Sequence, residues 1–140
     1  MPVKNFQRGL IALISRAYFA NTVRLYTETR ERIRASLELI SRDWPAGASE
    51  KAVVFYGAGE VAEIAYVSLQ STDLQLAGVV DDFVTREFFG HTVLRPEALH
   101  TDLLNGHRHA PIVIMSFRKS DAMRARLESL GIPHGRVHML

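Results

Sequence analysis

Gly57, Gly59 and Ala62 stand close together in the run Tyr56-Gly-Ala-Gly-Glu-Val-Ala62, and Asp81 lies 24 residues beyond Gly57. Small residues at this spacing suit one task, bringing a phosphate up against the main chain. Gly57 permits a tight turn off a strand, Gly59 offers bare backbone to a pyrophosphate, and Ala62 lets a helix pack close to a sheet. A helix starting near Gly59 aims free N–H groups and the positive end of its dipole at a bound anion. Gly57, Ala58, Gly59, Glu60, Val61 and Ala62 are therefore the candidate phosphate cradle. The spacing of Asp81 fits a carboxylate that holds a ribose diol, with Asp82 in the turn beside it. Such a carboxylate repels a 2′-phosphate, which favours NAD or a nucleotide sugar over NADP. Ser116 follows the apolar run Ile112–Met115 and is placed either to touch the ligand or to cap the next helix. Arg118 and Lys119 are near enough to offset phosphate charge.

Residues for catalysis are harder to find. The chain has no cysteine, which excludes disulfides and thiolate chemistry. His107-Arg-His109 is the one tight histidine pair, and no acid stands beside it. Neither Tyr18 nor Tyr66 has a lysine four residues on, the positions being Thr22 and Gln70. Neighbouring carboxylates on a strand end point apart, so Asp81 and Asp82 are poorly placed to share a proton or a metal. The expectation is a binding protein rather than an enzyme. A small NAD-dependent oxidoreductase or sugar-nucleotide-modifying domain is the alternative, and a non-binding interaction module is the second.

The elements that must position these residues follow from periodicity. From about Asn5 to Arg42 apolar residues recur every seven positions at Ala12, Phe19, Tyr26, Ile33 and Ile40. That pattern gives one long amphipathic helix, or two separated near Asn21–Thr22, over residues 1–44. A 30-residue helix reaches roughly 45 Å, more than the body needs for cover. A homodimer through this helix is therefore expected. Residues 45–50 form a linker in which Pro45 and Gly47 stop the helix. From Lys51 to residue 140 strands and helices alternate: strands at 51–57, 75–81, 91–94, 111–116 and 136–139, and helices at 59–70, 96–104 and 120–130. Crossovers of this length give an α/β doubly wound parallel sheet, a Rossmann-like domain.

Charge and hydropathy limit the partners. Residues 1–44 carry eight Lys/Arg and four Asp/Glu, while the remainder carries nine and eleven. The arginines of the arm are interleaved with Glu28, Glu31 and Glu38, as on a solvated helix surface. No apolar run approaches the roughly 18 residues that span a bilayer, so no membrane partner is expected. Arg16 interrupts the apolar patch near the start and no small-residue cleavage site follows, which argues against a signal peptide. A cytoplasmic location is expected.

The segments VVFYGAGEVAEIAYVSLQ, LAGVVDD, FFGHTVLRPEAL, IVIMSF and LGIP together resemble a Rossmann-like nucleotide-binding domain of exopolysaccharide and nucleotide-sugar loci. Similar glycine turns occur in the amino-terminal domains of sugar-nucleotide acyltransferases. The helix around Ile14-Ser-Arg-Ala-Tyr-Phe-Ala20, continuing to Arg30-Glu-Arg-Ile33, resembles the long helix of exopolysaccharide-associated MarR-type regulators, winged helix-turn-helix proteins. The resemblance implies a ligand sensor linked to transcription or polysaccharide synthesis, with Gly57, Gly59, Ala62 and Asp81 at the ligand. The DNA-reading head of those regulators precedes the long helix, and kinship with them implies that it is missing ahead of this helix, by truncation or by evolution as a separate protein. Sequence-specific DNA binding by this chain alone is not expected.

Overall fold

A computed structural model describes residues 2–45, 50–101, 107 and 109–140, with side chains described from residue 16 onward. Helix α1 (Pro2–Arg42) is continuous, with no break near Asn21–Thr22. Proline at its first position needs no N–H partner and already holds a helical φ. Thr22, Thr27 and Ser36 turn their hydroxyls back onto the carbonyls of Tyr18, Val23 and Arg32, so polar side chains inside the helix do not open it.

After α1 come β1 (Ala52–Tyr56), α2 (Glu60–Leu69), β2 (Gln75–Val80), β3 (Glu87–Phe88) and β4 (His91–Leu94). A 3-10 turn (Pro96–His100), β5 (Ile112–Ile114), α3 (Ser120–Ser129), a second 3-10 turn (His134–Arg136) and β6 (Val137–Met139) complete the chain. The expected helix over 96–104 is thus a 3-10 turn as far as His100, and Thr101 is already extended. Positions 102–106 lie outside the described residues, as do residues 46–49 of the expected linker.

The strands form one sheet in the order β3-β4-β2-β1-β5-β6. All pairings are parallel except the hairpin of β3 with β4. The protein is therefore a mixed α/β structure, a six-stranded, mostly parallel sheet preceded by a long helix. β1 is buried along its whole length, which explains its uninterrupted apolar sequence. Val53 and Phe55 point to one face, where α1 and α2 cover them with Ile33, Leu37, Ile40, Ala62, Ala65 and Leu69. Val54 and Tyr56 point to the other, under Leu99 and Leu127 of the 3-10 turn and α3.

The sequence reading has no hairpin at β3–β4. Its two-residue loop is Phe89-Gly90, with φ of 45° and 83°. Two positive φ values in succession define a turn whose twist matches that of paired strands. Among the described residues no helix is long and apolar enough to cross a membrane.

Candidate functional site

Strand order reverses at β1: the chain runs outward through β2 and β4 on one side and through β5 and β6 on the other. The chain leaves β1 for β2 on one side and returns from β4 to β5 on the other, so the connections diverge over the carboxyl ends of β1 and β5, the usual ligand position in such sheets. Here the crevice is about 180 Å³, lined by Gly57, Ala58, Gly59, Asp81, Asp82, Phe83, Ser116 and Lys119 among others. That volume is below the roughly 300 Å³ at which drug-sized pockets begin, so the enclosed space is smaller than a whole dinucleotide.

The glycine turn is built by steric exclusion. Gly57 has φ of +113°, and a Cβ there would stand 3.3 Å from both Cβ and the carbonyl oxygen of Met115. Its N–H donates to the Val80 carbonyl at 2.8 Å, fixing the turn against β2. Gly59 differs, since it is extended (φ −95°, ψ −158°) and a Cβ there would meet nothing within 4 Å. It is the residue ahead of α2, whose first turn leaves the N–H groups of Glu60, Val61 and Ala62 without i−4 helical acceptors. Ala62 is fully buried on the sheet, as close packing of the helix requires. The side chain of Glu60 lines a different groove, with Tyr26, Glu63, Ile64, Val67 and Phe89. Its carboxylate therefore stands away from the crevice, and only its main chain is placed to meet an anion.

Asp81 ties the crevice together. One carboxylate oxygen accepts from the Ala58 N–H at 2.9 Å, and the other accepts from the Phe83 and Val84 N–H groups at 2.8 Å each. Three charge-assisted bonds hold the glycine turn and the loop after β2 in register. Each carboxylate oxygen accepts about two hydrogen bonds, so the one bonded to Ala58 keeps room for a ligand hydroxyl. The Asp81 carbonyl accepts in turn from Arg95 at 2.8 Å. Ser116 uses its hydroxyl oxygen to accept from the Lys119 N–H at 3.0 Å, capping the approach to α3. Phe83 is 85% exposed at the crevice mouth.

Asp82 turns the other way, into a network that sequence reasoning missed. It accepts from the buried Tyr56 hydroxyl and pairs with Arg126 at 3.2 Å, while Arg126 reaches Glu97 at 2.5 Å. Burial, then the bond to Asp82, pushes the Tyr56 phenol well above its usual range. The phenol therefore stays a hydrogen-bond donor and does not serve as a base. The bond from Arg126 holds the exposed Glu97 carboxyl below the usual carboxylate range. These four residues span 71 positions from Tyr56 to Arg126 with no periodicity, and no spacing in the sequence signals them.

A larger open groove of about 450 Å³ lies between the end of α1 and β6, lined by Ser36, Trp44, Pro45, Pro111 and His138 among others. Burial lowers the His138 pKa, so the imidazole there is biased to its neutral form. The groove holds none of the sequence-predicted site residues. Among the described residues no group of three or more His, Asp or Glu side chains is gathered to hold a metal.

Comparison with protein-family models, with curated proteins and with solved structures returns no match. The functional reading therefore rests on the geometry of the site.

Proposed function

We propose that the chain is a Rossmann-like nucleotide-binding protein that takes NAD or a nucleotide sugar in the crevice at the end of β1. The supporting observation is the place of the glycine turn, where strand order reverses and the carboxylate of Asp81 bonds the Ala58 amide. A pyrophosphate would lie against Gly59 and the first turn of α2, with Lys119 and the helix dipole offsetting its charge. Asp81 would accept from a ribose hydroxyl, Ser116 would donate, and the exposed ring of Phe83 would stack on the base. A 2′-phosphate beside Asp81 is repelled, so NAD is preferred to NADP.

The role that fits best is sensing, with the resemblance noted above suggesting a link to transcription or polysaccharide synthesis. Arg32 of α1 lies over the Phe117 ring at 4.6 Å, next to Ser116 in the crevice wall. A ligand that moved Ser116 would thereby act on the helix.

A thermal-shift panel of NAD⁺, NADP⁺, CoA, ATP and several nucleotide sugars tests the reading. A ligand present at 100 times its Kd stabilises the fold by about 2.7 kcal/mol. For a domain of this size that is a rise of several degrees. The rise should vanish in Gly59→Val while the ligand-free Tm stays unchanged, because a Cβ there meets no atom within 4 Å. No shift with any ligand, or the same shift in Gly59→Val, would refute the proposal.

A further inference from the structure

Among the described residues two arginines are half-buried, Arg126 and Arg136, and their surroundings differ. Arg126 lies between two carboxylates, those of Asp82 and Glu97. Arg136 forms no ion pair among the described residues. Glu128, the nearest acidic side chain along the chain, turns instead to His134 at 3.6 Å. The Arg136 Nε donates to the Ala110 carbonyl at 3.1 Å, whereas its Nη2 is shut off from solvent with no hydrogen-bond partner. Burial with nothing to offset it lowers the Arg136 pKa, while Glu97 and then Asp82 raise that of Arg126. A guanidinium stays protonated in proteins, so the charge of Arg136 remains. Buried charges are ordinarily paired, and this one lacks its partner.

Arg136 lines a cavity of about 270 Å³ together with Leu99, His100, His109, Ile132 and Pro133. Ala110 and Arg136 stand just ahead of β5 and β6, which run parallel, so the cavity lies at the amino ends of these strands. The crevice of the glycine turn lies at the carboxyl ends, on the opposite side of the sheet. We propose that this cavity binds the carboxylate of a small organic acid, with Arg136 as its counter-ion. The Nη1–Nη2 edge of the guanidinium carries no hydrogen bond, and that fork matches two carboxylate oxygens. A small rotation of the guanidinium opens Nη2 to the ligand and gives it the acceptor it lacks. The walls favour a monocarboxylate over a phosphate. Of the two imidazoles, His100 bonds the Leu130 carbonyl through Nε2 and His109 is exposed, so neither is a fixed second cation. Leu99 and Ile132, at most 4% exposed, present apolar surface to a short alkyl chain. The volume, just under the roughly 300 Å³ of drug-sized pockets, suits a ligand of that size. The proposal does not rest on nucleotide binding.

Heteronuclear NMR of the full chain tests this, with butyrate and inorganic phosphate each titrated against chloride at equal ionic strength. The Arg136 Nε–H signal should move to a plateau with butyrate and stay in place with phosphate. Butyrate should also raise Tm saturably. Arg136→Met should lose that rise and keep at least the parent's ligand-free Tm, because it removes a buried charge that nothing compensates. Arg136→Lys keeps the charge but not the fork, and should weaken butyrate binding about tenfold, the equivalent of one lost hydrogen bond to a charged group. Should Arg136→Met fail to fold, the titration of the parent chain and the lysine variant still decide. A signal that moves as far with phosphate as with butyrate would assign a phosphate site and overturn the proposal. So would a butyrate response that survives unchanged in Arg136→Met or Arg136→Lys, or a parent signal that never moves to a plateau.

Discussion

Two glycines separated by one residue have opposite reasons to be glycine. Gly57 is set by the protein itself, through a positive φ that side chains rarely adopt and a Met115 that a Cβ would crowd at 3.3 Å. Gly57→Ala should therefore destabilise the fold by about 1–3 kcal/mol, the range for a strained backbone position. Gly59→Ala meets nothing and keeps an ordinary φ, so its ligand-free stability should stay within about 0.5 kcal/mol of the parent. Chemical denaturation of the two variants side by side checks this. Equal losses would mean that Gly59, too, is a folding residue. The sequence exposes the turn because such glycines have few substitutes, but it does not separate the two roles. That separation comes from Met115, 58 residues downstream of Gly57, which no local pattern brings near. Asp81 was likewise legible by its distance from the turn, whereas its bonds to Ala58, Phe83 and Val84 were not. The bond to Tyr56 that occupies Asp82 was hidden for the same reason.

At the scale of elements, legibility follows burial. β1, β2 and β5 show as apolar runs because both faces of each are covered, and α1 shows because apolar residues recur every seven positions from Ala12 to Ile40. The β3–β4 hairpin does not show, because its loop is Phe89-Gly90 rather than the Asn-Gly or Asp-Gly that marks such turns. Phe89 holds φ of 45° at a cost of about 1–2 kcal/mol for a residue with a Cβ. What offsets the cost is its ring, stacked on Tyr66 at 4.3 Å and edge-on to Phe88 at 4.9 Å. A stacked pair contributes about 0.5–1.5 kcal/mol beyond its buried area. Phe89→Ala keeps the strain and loses the stacking, so it should cost about 1–2 kcal/mol. Phe89→Gly loses the stacking but relieves the strain and should be about 1 kcal/mol more stable than the alanine variant. Thermal denaturation of the pair distinguishes them, and an alanine variant as stable as the glycine one would show that the turn is unstrained.

At the scale of the whole molecule the body and the upstream half of α1 make different demands. The body closes its own core, with both faces of β1 covered and α1 anchored by Ile33, Leu37 and Ile40. Each of those anchors contributes about 2 kcal/mol on burial. Between residue 16 and Glu31 no side chain is buried, and Tyr26 lines a groove of the body. Removing residues 1–29 should therefore cost the isolated body only about 1–2 kcal/mol, mostly the half-buried ring of Tyr26. The full chain, if it pairs through that half-helix, gains stability by mass action, so its Tm should rise with protein concentration. The shortened chain should lose that dependence and melt at one temperature across the same dilution series. Leu37→Ala, in contrast, removes a core anchor and should lower stability by about 2–5 kcal/mol in either background. A shortened chain that failed to fold would assign the upstream half of α1 to the fold of the body. One that folded and still melted in a concentration-dependent way would move the pairing surface off α1.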